Sequence, residues 1–302
     1  MTHQHSRVRK DIIDCLCDVV MYGNNKSVTD VLSHLAQRLF DQAHIVRLAV
    51  IKLVGTWLLD LPDRYSFFHK LIPLLLTGFV DETPEVKELT ESLWWDIGIK
   101  YEKENDAELK DKSSFLDNTN SNYPPECKFY FFKKLINTIL ILLIIVQEKR
   151  PNLGCRELIR LNASKIVPGI LNDTGDWVEA TRVKSIQLLY IMIWQAENNI
   201  TQHLETVLQT LFKSSSENHN IIQIQVAKCA QLVGHFTEPD LSLNIVFKTI
   251  RKLSAINPGA ISILTGLLKG HGAKTKFSLV IESLKLLNEL SLTVDVFIKL
   301  EK

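Results

Sequence analysis

Two pairs of residues near the start of the chain could bind a metal ion, but neither pair is a complete ligand set. His3 and His5 are possible ligands, yet no HExxH motif or other zinc-type spacing supplies further ones. Cys15 and Cys17 lie two residues apart, so on a helix their side chains would point to different faces. We therefore predict no metal site and no cofactor.

A glycine-containing stretch over 266–275, GLLKGHGAKT, superficially resembles a phosphate-binding loop. It lacks the Gly-Lys pair of such a loop, and no strand precedes it. Neither a Gly-x-Ser-x-Gly elbow nor a dinucleotide glycine fingerprint occurs in the chain. We interpret 266–275 as a flexible turn between helices, and we expect no catalytic residues and no enzyme activity.

The overall composition argues against several classes of function. The 302 residues include 35 Lys and Arg and 34 Asp and Glu, for a net charge of +1. A nucleic-acid-binding protein usually carries a basic surplus, so we predict no nucleic-acid partner. The five cysteines are odd in number and form no CxxC pair, which favours reduced thiols and a cytoplasmic location.

The hydrophobic pattern is helical along most of the chain. Apolar residues recur at helical spacing, whereas the alternation typical of strands is scarce. Roughly eleven helices of ordinary length would fit, joined by short polar breaks. Several breaks place a proline where a helix would begin, as at Pro84, Pro239 and Pro258. The sequence therefore predicts an all-α fold.

One pattern of an aspartate, a valine and a base recurs after forty residues. Its members are Asp41, Val46 and Arg47, followed by Asp81, Val86 and Lys87. A period near 40 residues, with two helices per unit, lies in the HEAT and armadillo range. We therefore predict a HEAT-repeat, armadillo-type α-solenoid of about five to six helix pairs.

The spacing of the repeated residues suggests structural roles. Asp41 and Asp81 are predicted to lie between paired helices, where a carboxylate can cap exposed N–H groups. The valines five residues later would face the partner helix. Arg47 and Lys87 could each reach the aspartate of a neighbouring unit. We expect these pairs to form a charge ladder that stabilises the stack and performs no chemistry.

A weaker repeat lies in the second half of the chain. The run KIVPGIL over 165–171 is similar to KLIPLLL over 70–76. Pro73 and Pro168 would then lie in the proline-kinked first helix of a HEAT unit.

The tryptophans are the best candidates for a binding surface. A solenoid presents an extended concave surface to large partners, so we expect binding rather than chemistry. Most of the five tryptophans should lie in the core. Trp94 and Trp95 are adjacent, however, and cannot face one core equally. One of them is therefore a candidate partner contact, since aromatic anchors dominate interfaces.

The run LLDLPDRYSFFHKLIPLLL over 58–76 resembles the dynein axonemal assembly factor 5 family, also called HEAT-repeat-containing protein 2. Further similar runs cover 154–158, 176–178, 181–185, 202–205 and 208–212. The resemblance covers most of the chain outside about 127–147 and fades after about residue 250. Family members are considerably longer, so this chain resembles an internal stretch of such a protein.

The resemblance implies a function that the periodicity alone does not. It implies a cytoplasmic scaffold for pre-assembly of outer and inner axonemal dynein arms, which supports cilium movement. The implied partners are axonemal dynein subunits, with the intermediate chain foremost, together with co-assembly factors and chaperones.

The predicted organisation has four parts. HEAT repeats occupy 1–105 and 149–302, and the second array ends without a polar cap. Residues 106–128 are predicted to form a polar loop. Residues 129–148 look like an apolar insertion, because the family would run almost directly from 125 to 150. We hypothesise that this insertion is a retained intron or the product of a wrongly assigned exon boundary; a buried helix packed on the solenoid is the alternative.

Two alternatives remain open at this point. The chain could be a generic HEAT adaptor for another protein complex, since a fold alone does not select among scaffolds. It could also associate with a membrane through 129–146. That apolar run is shorter than the stretch of about 20 residues that spans a bilayer, which disfavours the membrane alternative.

Overall fold

The computed structural model describes residues 2–23, 27–115, 150–252, 258–286 and 288 of the chain. These residues form helices and connecting turns, with no strand among them. The predicted all-α class is therefore confirmed. The chain divides into two compact units, Met1–Ile166 and Val167–Lys302, which are described one at a time.

The first unit consists of stacked helix pairs. Its helices are α1 (Ser6–Tyr22), α2 (Val28–Arg38), α3 (His44–Asp60), α4 (Phe68–Leu76), α5 (Pro84–Glu104), α6 (Asp106–Phe115) and the first part of α7 (Leu153–Asp173). Helix α3 packs against both α1 and α5, while α2 and α4 pack against the helix that follows each of them. The second helices of successive pairs are therefore in direct contact, as in a HEAT array.

The core of this stack explains the repeated valines. Val46 and Val86 are fully buried, as the predicted packing requires, and Trp57 of α3 is equally inaccessible. Full burial of a valine side chain stabilises the fold by about 1.5–3 kcal/mol relative to leaving it exposed. Helix α5 begins at Pro84, as predicted, because the fixed φ of proline suits a first helical position.

The second unit repeats the arrangement. It contains the rest of α7, then α8 (Glu179–Ala196), α9 (Leu204–Ser214), α10 (Asn220–Phe236), α11 (Pro239–Lys252), α12 (Pro258–His271) and a further helix over 277–286. Helix α10 packs against both α8 and α12. Helices α11 and α12 begin at the two prolines that the sequence predicted as starts.

The prediction of a polar loop over 106–128 is wrong at its beginning, because α6 occupies Asp106–Phe115. Asp106 and Glu108 lie in the first helical turn, where negative charge complements the helix dipole. Leu109 anchors the helix, since only 6% of it is exposed. The remainder of that loop, over 116–128, lies outside the described residues.

The prediction of a flexible turn over 266–275 is also wrong for most of its length. Gly266 and Gly270 lie inside α12, and only Gly272, with φ of 51°, has the left-handed backbone of a turn. A Cβ atom on Gly270 would lie 2.0 Å from the carbonyl oxygen of Gln231 on α10. The glycines therefore allow two helix backbones to approach closely.

The apolar insertion over 129–148, with the retained-intron hypothesis, lies outside the described residues. Among the helices that the structure describes, none is both long enough and apolar enough to cross a membrane.

Candidate functional site

The buried arginine of α3 joins two helix pairs. Arg47 Nε and Nη2 donate to the two carboxylate oxygens of Asp81, at 2.7 and 2.9 Å. Its Nη1 donates to the carbonyl oxygens of Asp41 and Gln42, at 2.7 and 3.3 Å, and Nη2 also reaches Thr83 Oγ1 at 2.9 Å. Only about 5% of the Arg47 side chain is exposed. One guanidinium thus fixes its own turn and the turn of the next pair.

The same pattern occurs one helix pair earlier. Arg9 Nη1 donates to the carbonyl oxygens of His3 and Gln4, at 2.7 and 2.8 Å. Its Nε and Nη2 donate to the carboxylate of Asp41, at 2.8 and 2.7 Å. Arg9 and Arg47 therefore each bind the carbonyl groups six and five residues before them and the carboxylate of the following pair.

A third arginine repeats the pattern in the second unit. Arg182 Nη1 donates to the carbonyl oxygens of Asp176 and Trp177, at 3.0 and 3.2 Å. Its Nε donates to Glu217 at 2.9 Å. We call these three arginines and their carboxylates the arginine ladder. The sequence motif pointed to its Arg47 member, and the other two follow from the geometry.

The two ladder aspartates also organise their own turns, and Asp176 does the same at the equivalent position six residues before Arg182. An oxygen of Asp41, Asp81 or Asp176 accepts the backbone N–H two residues later, at 3.0, 2.9 and 2.7 Å.

At the first turn His3 Nδ1 accepts the N–H of His5 in the same way, at 3.1 Å. His3 and His5 were considered above as a metal site. In the structure His3 takes the place that an aspartate has in the turns before α3, α5 and α8, and the backbone N–H of His5 donates to it. In the described part of the chain, no group of three His, Cys, Asp or Glu residues is placed to hold a metal ion.

The electrostatics of the ladder favour its ionised form. Burial opposes ionisation of Asp41, but its hydrogen bonds from Arg9 and Ala43 and the nearby positive charges lower its pKa overall. The hydrogen bond to Asp81 raises the pKa of Arg47 despite burial. Asp41 and Arg47 are therefore both charged throughout the physiological pH range.

The ladder changes at two of its cation positions. Lys87 is half-buried on α5, where its charge lowers the pKa of Glu91 against the larger effect of burial. Gln223 holds the cation position on α10, and its Nε2 donates a hydrogen bond to the Glu217 carbonyl oxygen at 2.9 Å. A pocket of about 250 Å³ lies beside Gln223, lined partly by Asn218, Val226 and Ser262.

The remaining predicted residues have structural surroundings. Pro73 lies inside α4 and Pro168 inside α7. Trp94 is 3% exposed, and its carbonyl oxygen accepts a hydrogen bond from Cys155 Sγ at 3.1 Å. Trp95 is half-buried, and a partner contact through it stays a prediction.

The most exposed tryptophan of the described residues is one that sequence reasoning did not single out. Trp177 is 90% exposed, whereas Trp57, Trp94 and Trp194 are buried.

Trp177 follows Asp176 in the turn before α8, five residues before Arg182 of the ladder. Gln42 lies at the same distance before Arg47. This five-residue spacing is the sequence signal that could have marked Trp177 as a turn residue.

Two family models match the chain. The model described as "Dynein axonemal assembly factor 5-like, TPR repeats" matches residues 1–112. The model described as "Dynein axonemal assembly factor 5, HEAT-repeat domain" matches residues 145–292. The second match confirms HEAT repeats in the later part of the chain. The first names TPR repeats, whose units have about 34 residues, whereas Asp41 and Asp81 are forty residues apart. The HEAT assignment of 1–105 stays our prediction.

Several full-length proteins are similar to most of this chain. The dynein axonemal assembly factor 5 of Homo sapiens is 46% identical over 252 residues, which are 83% of this chain and 27% of that protein. The Mus musculus protein of the same name is 41% identical over 89% of this chain and 29% of its own length. The Drosophila melanogaster protein is 26% identical over 80% of this chain and 26% of its own length. The chain thus spans less than a third of these relatives.

Proposed function

Because this chain belongs to the dynein axonemal assembly factor 5 family, we propose that it is a cytoplasmic HEAT-repeat scaffold for pre-assembly of axonemal dynein arms. In this role it would serve outer and inner arms alike and so support cilium movement. The single observation that carries the proposal is the family match over both parts of the chain.

The surroundings of the reactive side chains support a role without catalysis. Ser242 Oγ lies 2.7 Å from His271 Nε2, a pairing that could activate a serine nucleophile. Both residues are buried, with at most 2% exposed, so a substrate cannot reach them. Burial also raises the pKa of the thiols of Cys155 and Cys229 and keeps both in the unreactive protonated form.

The arginine ladder supports a scaffold role because it fixes the turns that connect paired helices. Each ladder arginine binds two carbonyl groups of its own turn and so holds the residues around them in place. Surface side chains on such turns can bind a partner with little loss of conformational entropy. We propose that the partners are axonemal dynein subunits, foremost the intermediate chain, together with co-assembly factors and chaperones.

Binding to purified axonemal dynein intermediate chain tests this function. Two proteins are tested against the intermediate chain: this chain and a matched variant lacking 127–147. Circular dichroism first checks that both have intact helicity. We expect both to bind. Binding by neither would contradict the proposal and favour a generic HEAT adaptor. Binding only by the shortened variant would support the scaffold function and indicate that the insertion disables it, as a retained intron would.

A further inference from the structure

We propose that Trp177 is the anchor of a docking surface that receives an arginine side chain from a protein partner. This inference rests on the proposed scaffold function, in which the partner is a dynein subunit. It adds which residue of this chain makes the contact and which chemistry it recognises.

The fold does not require a tryptophan at this place. The same register position recurs in five turns of the described residues. It lies five residues before the ladder arginine, or before the Lys87 or Gln223 that stands in its place. Its occupants are Gln4, Gln42, Glu82, Trp177 and Asn218, all of them exposed. Four of the turns form with a polar residue there. The indole of Trp177 therefore does not serve the turn, and tryptophan is among the residues most enriched in the hot spots of protein interfaces.

The backbone beneath the indole is held in place. The carbonyl oxygen of Trp177 accepts a hydrogen bond from Arg182, and the carboxylate of Asp176 accepts the N–H of Val178 at 2.7 Å. Val178 is itself 36% exposed and adds apolar surface beside the ring. Binding to a ring on a fixed turn loses little conformational entropy, which is a property of interface anchors.

The charges of the turn select the partner. The turn over 172–180 contains three carboxylates, Asp173, Asp176 and Glu179, and no basic residue. Burial and the neighbouring charge of Asp176 together raise the pKa of Asp173, so these two carboxylates repel each other. An incoming cation relieves that repulsion. The surface thus combines an aromatic face with surplus negative charge.

Three bases lie near the turn, and His219 already engages one of its carboxylates, because His219 Nε2 lies 2.9 Å from Glu179 Oε1. Asp173 and Asp176 are the carboxylates left for an incoming cation.

Arg182 is already bound to two carbonyl oxygens and to Glu217. Lys213 lies beside Gly175, where its Nζ would be 3.2 Å from an added Cβ atom. A cation over the indole gains from the ring quadrupole. A guanidinium suits the site better than an ammonium, because its flat face stacks on the ring while its edge reaches carboxylates.

The first experiment measures the affinity of the full chain for purified axonemal dynein intermediate chain. We expect Trp177→Ala to weaken binding at least tenfold and Asp173→Asn to weaken it a few-fold. The matched controls are Phe277→Ala, which removes another largely exposed aromatic ring (78%), and Gln42→Ala, which changes the equivalent turn position. Each control should change affinity less than twofold. Equal binding by wild type and Trp177→Ala would overturn the inference and leave the proposed function standing.

The second experiment does not depend on dynein. It titrates the chain with a nonapeptide of three Leu-Arg-Leu units and with its Leu-Glu-Leu counterpart, following the heat of binding by calorimetry, a signal that does not require the indole itself. We expect at least tenfold preference for the arginine peptide, and loss of that preference in Trp177→Ala. Absence of the preference in the wild type overturns the inference whatever the first experiment shows. A preference without intermediate-chain binding would uphold the docking surface and contradict the proposed function.

Discussion

Two regions of this molecule stack equivalent helices by different means. In the first unit, α1, α3 and α5 are joined through the ion pairs of Arg9 with Asp41 and of Arg47 with Asp81. In the second unit, α10 and α12 are joined through glycines. The position on α10 that would carry the ladder cation is Gln223.

The glycine contact is a close approach of two backbones. An added Cβ atom would lie 2.4 Å from the Leu267 carbonyl oxygen at Gly234, and 2.0 Å from the Gln231 carbonyl oxygen at Gly270. Such contacts gain dispersion energy along the whole helix face. The comparison teaches that one repeat geometry can be held by a few directed charges or by continuous backbone packing, and that the two should respond differently to mutation and to pH.

The largest expected effect comes from breaking the ladder where it is most buried. Arg47→Met takes the guanidinium away from the buried carboxylate of Asp81, so we expect the free energy of unfolding to fall by about 3–5 kcal/mol. Arg182→Met should cost about 1 kcal/mol, because the Arg182 and Glu217 side chains are 22% and 28% exposed. Denaturant unfolding measures both losses.

A double variant separates the buried charge from the lost contact. Arg47→Met with Asp81→Asn also removes the carboxylate charge, while the asparagine oxygen can still accept the N–H of Thr83. We expect it to recover much of the stability lost in the single variant. No recovery would mean that the hydrogen bonds of Arg47 to its own turn dominate.

The second prediction concerns the glycine contact. Gly270→Ala forces α12 away from Gln231, and we expect a loss of about 2 kcal/mol after the gain in helix propensity. Gly169→Ala is the matched control, because an added Cβ atom there has no neighbour within 4 Å. That substitution should stabilise the protein by up to about 1 kcal/mol. Thermal melts of the two variants should therefore move in opposite directions.

The third prediction uses pH to weaken one region before the other. Burial lowers the pKa of His271 to about 4, below its ordinary 6.5. The unfolded chain therefore binds more protons between these values, and the free energy of unfolding falls by about 1–2 kcal/mol as pH drops from 6.5 towards 4. Above pH 6.5 this contribution is constant. The ladder carboxylate of Asp41, with its lowered pKa, stays ionised over that window.

Hydrogen exchange at pH 5 and pH 7.5 checks this difference. Protection of backbone amides from exchange should fall in α12 at the lower pH, whereas protection in α3 should stay the same. His271→Gln removes the titrating group, so its stability should lose most of the pH dependence between 4 and 6.5. An unchanged profile in that variant would assign the acid sensitivity to another group.

The smallest effect has the opposite sign and lies in the ladder region. Burial and the charge of Glu88 raise the pKa of Glu91 on α5 to about 7. Protonation therefore favours the folded state, and stability rises as pH falls from about 7 to 4.5. Glu91→Gln should gain about 1 kcal/mol at pH 7.5 and nothing at pH 5. Glu88→Gln, on the exposed face of the same helix, should gain less, since it removes only the repulsion.

The sequence was sufficient to predict the contacts that recur with a fixed spacing. The forty-residue register of Asp41 and Asp81 predicted that Arg47 could reach the next aspartate, and the prolines marked the starts of α5, α11 and α12. These features depend on local residue types at regular intervals. Such information is present in a single chain read without its structure.

Features that depend on tertiary context could not be predicted in the same way. Gly266 and Gly270 looked like turn residues, because only the position of α10 shows that a backbone lies against them. Trp177 was not distinguished from the other tryptophans, since hydrophobicity does not reveal which ring stays in water. The polar composition of α6 suggested a loop, because its single anchor, Leu109, is a weak signal.

The double attachment of each ladder arginine has a consequence for how the stack comes apart. One guanidinium binds both its own turn and the next, so unfolding of one helix pair removes a contact that stabilises its neighbour. The stability of adjacent helix pairs is therefore coupled, as in a one-dimensional Ising model. Ion pairs provide this coupling from α1 to α5 and again from α8 to α10. At Gln223 on α10 no arginine is present, and a neutral side chain takes the cation position. An unfolding front should therefore pause at α10, and a single-molecule pulling trace would record that position as a step.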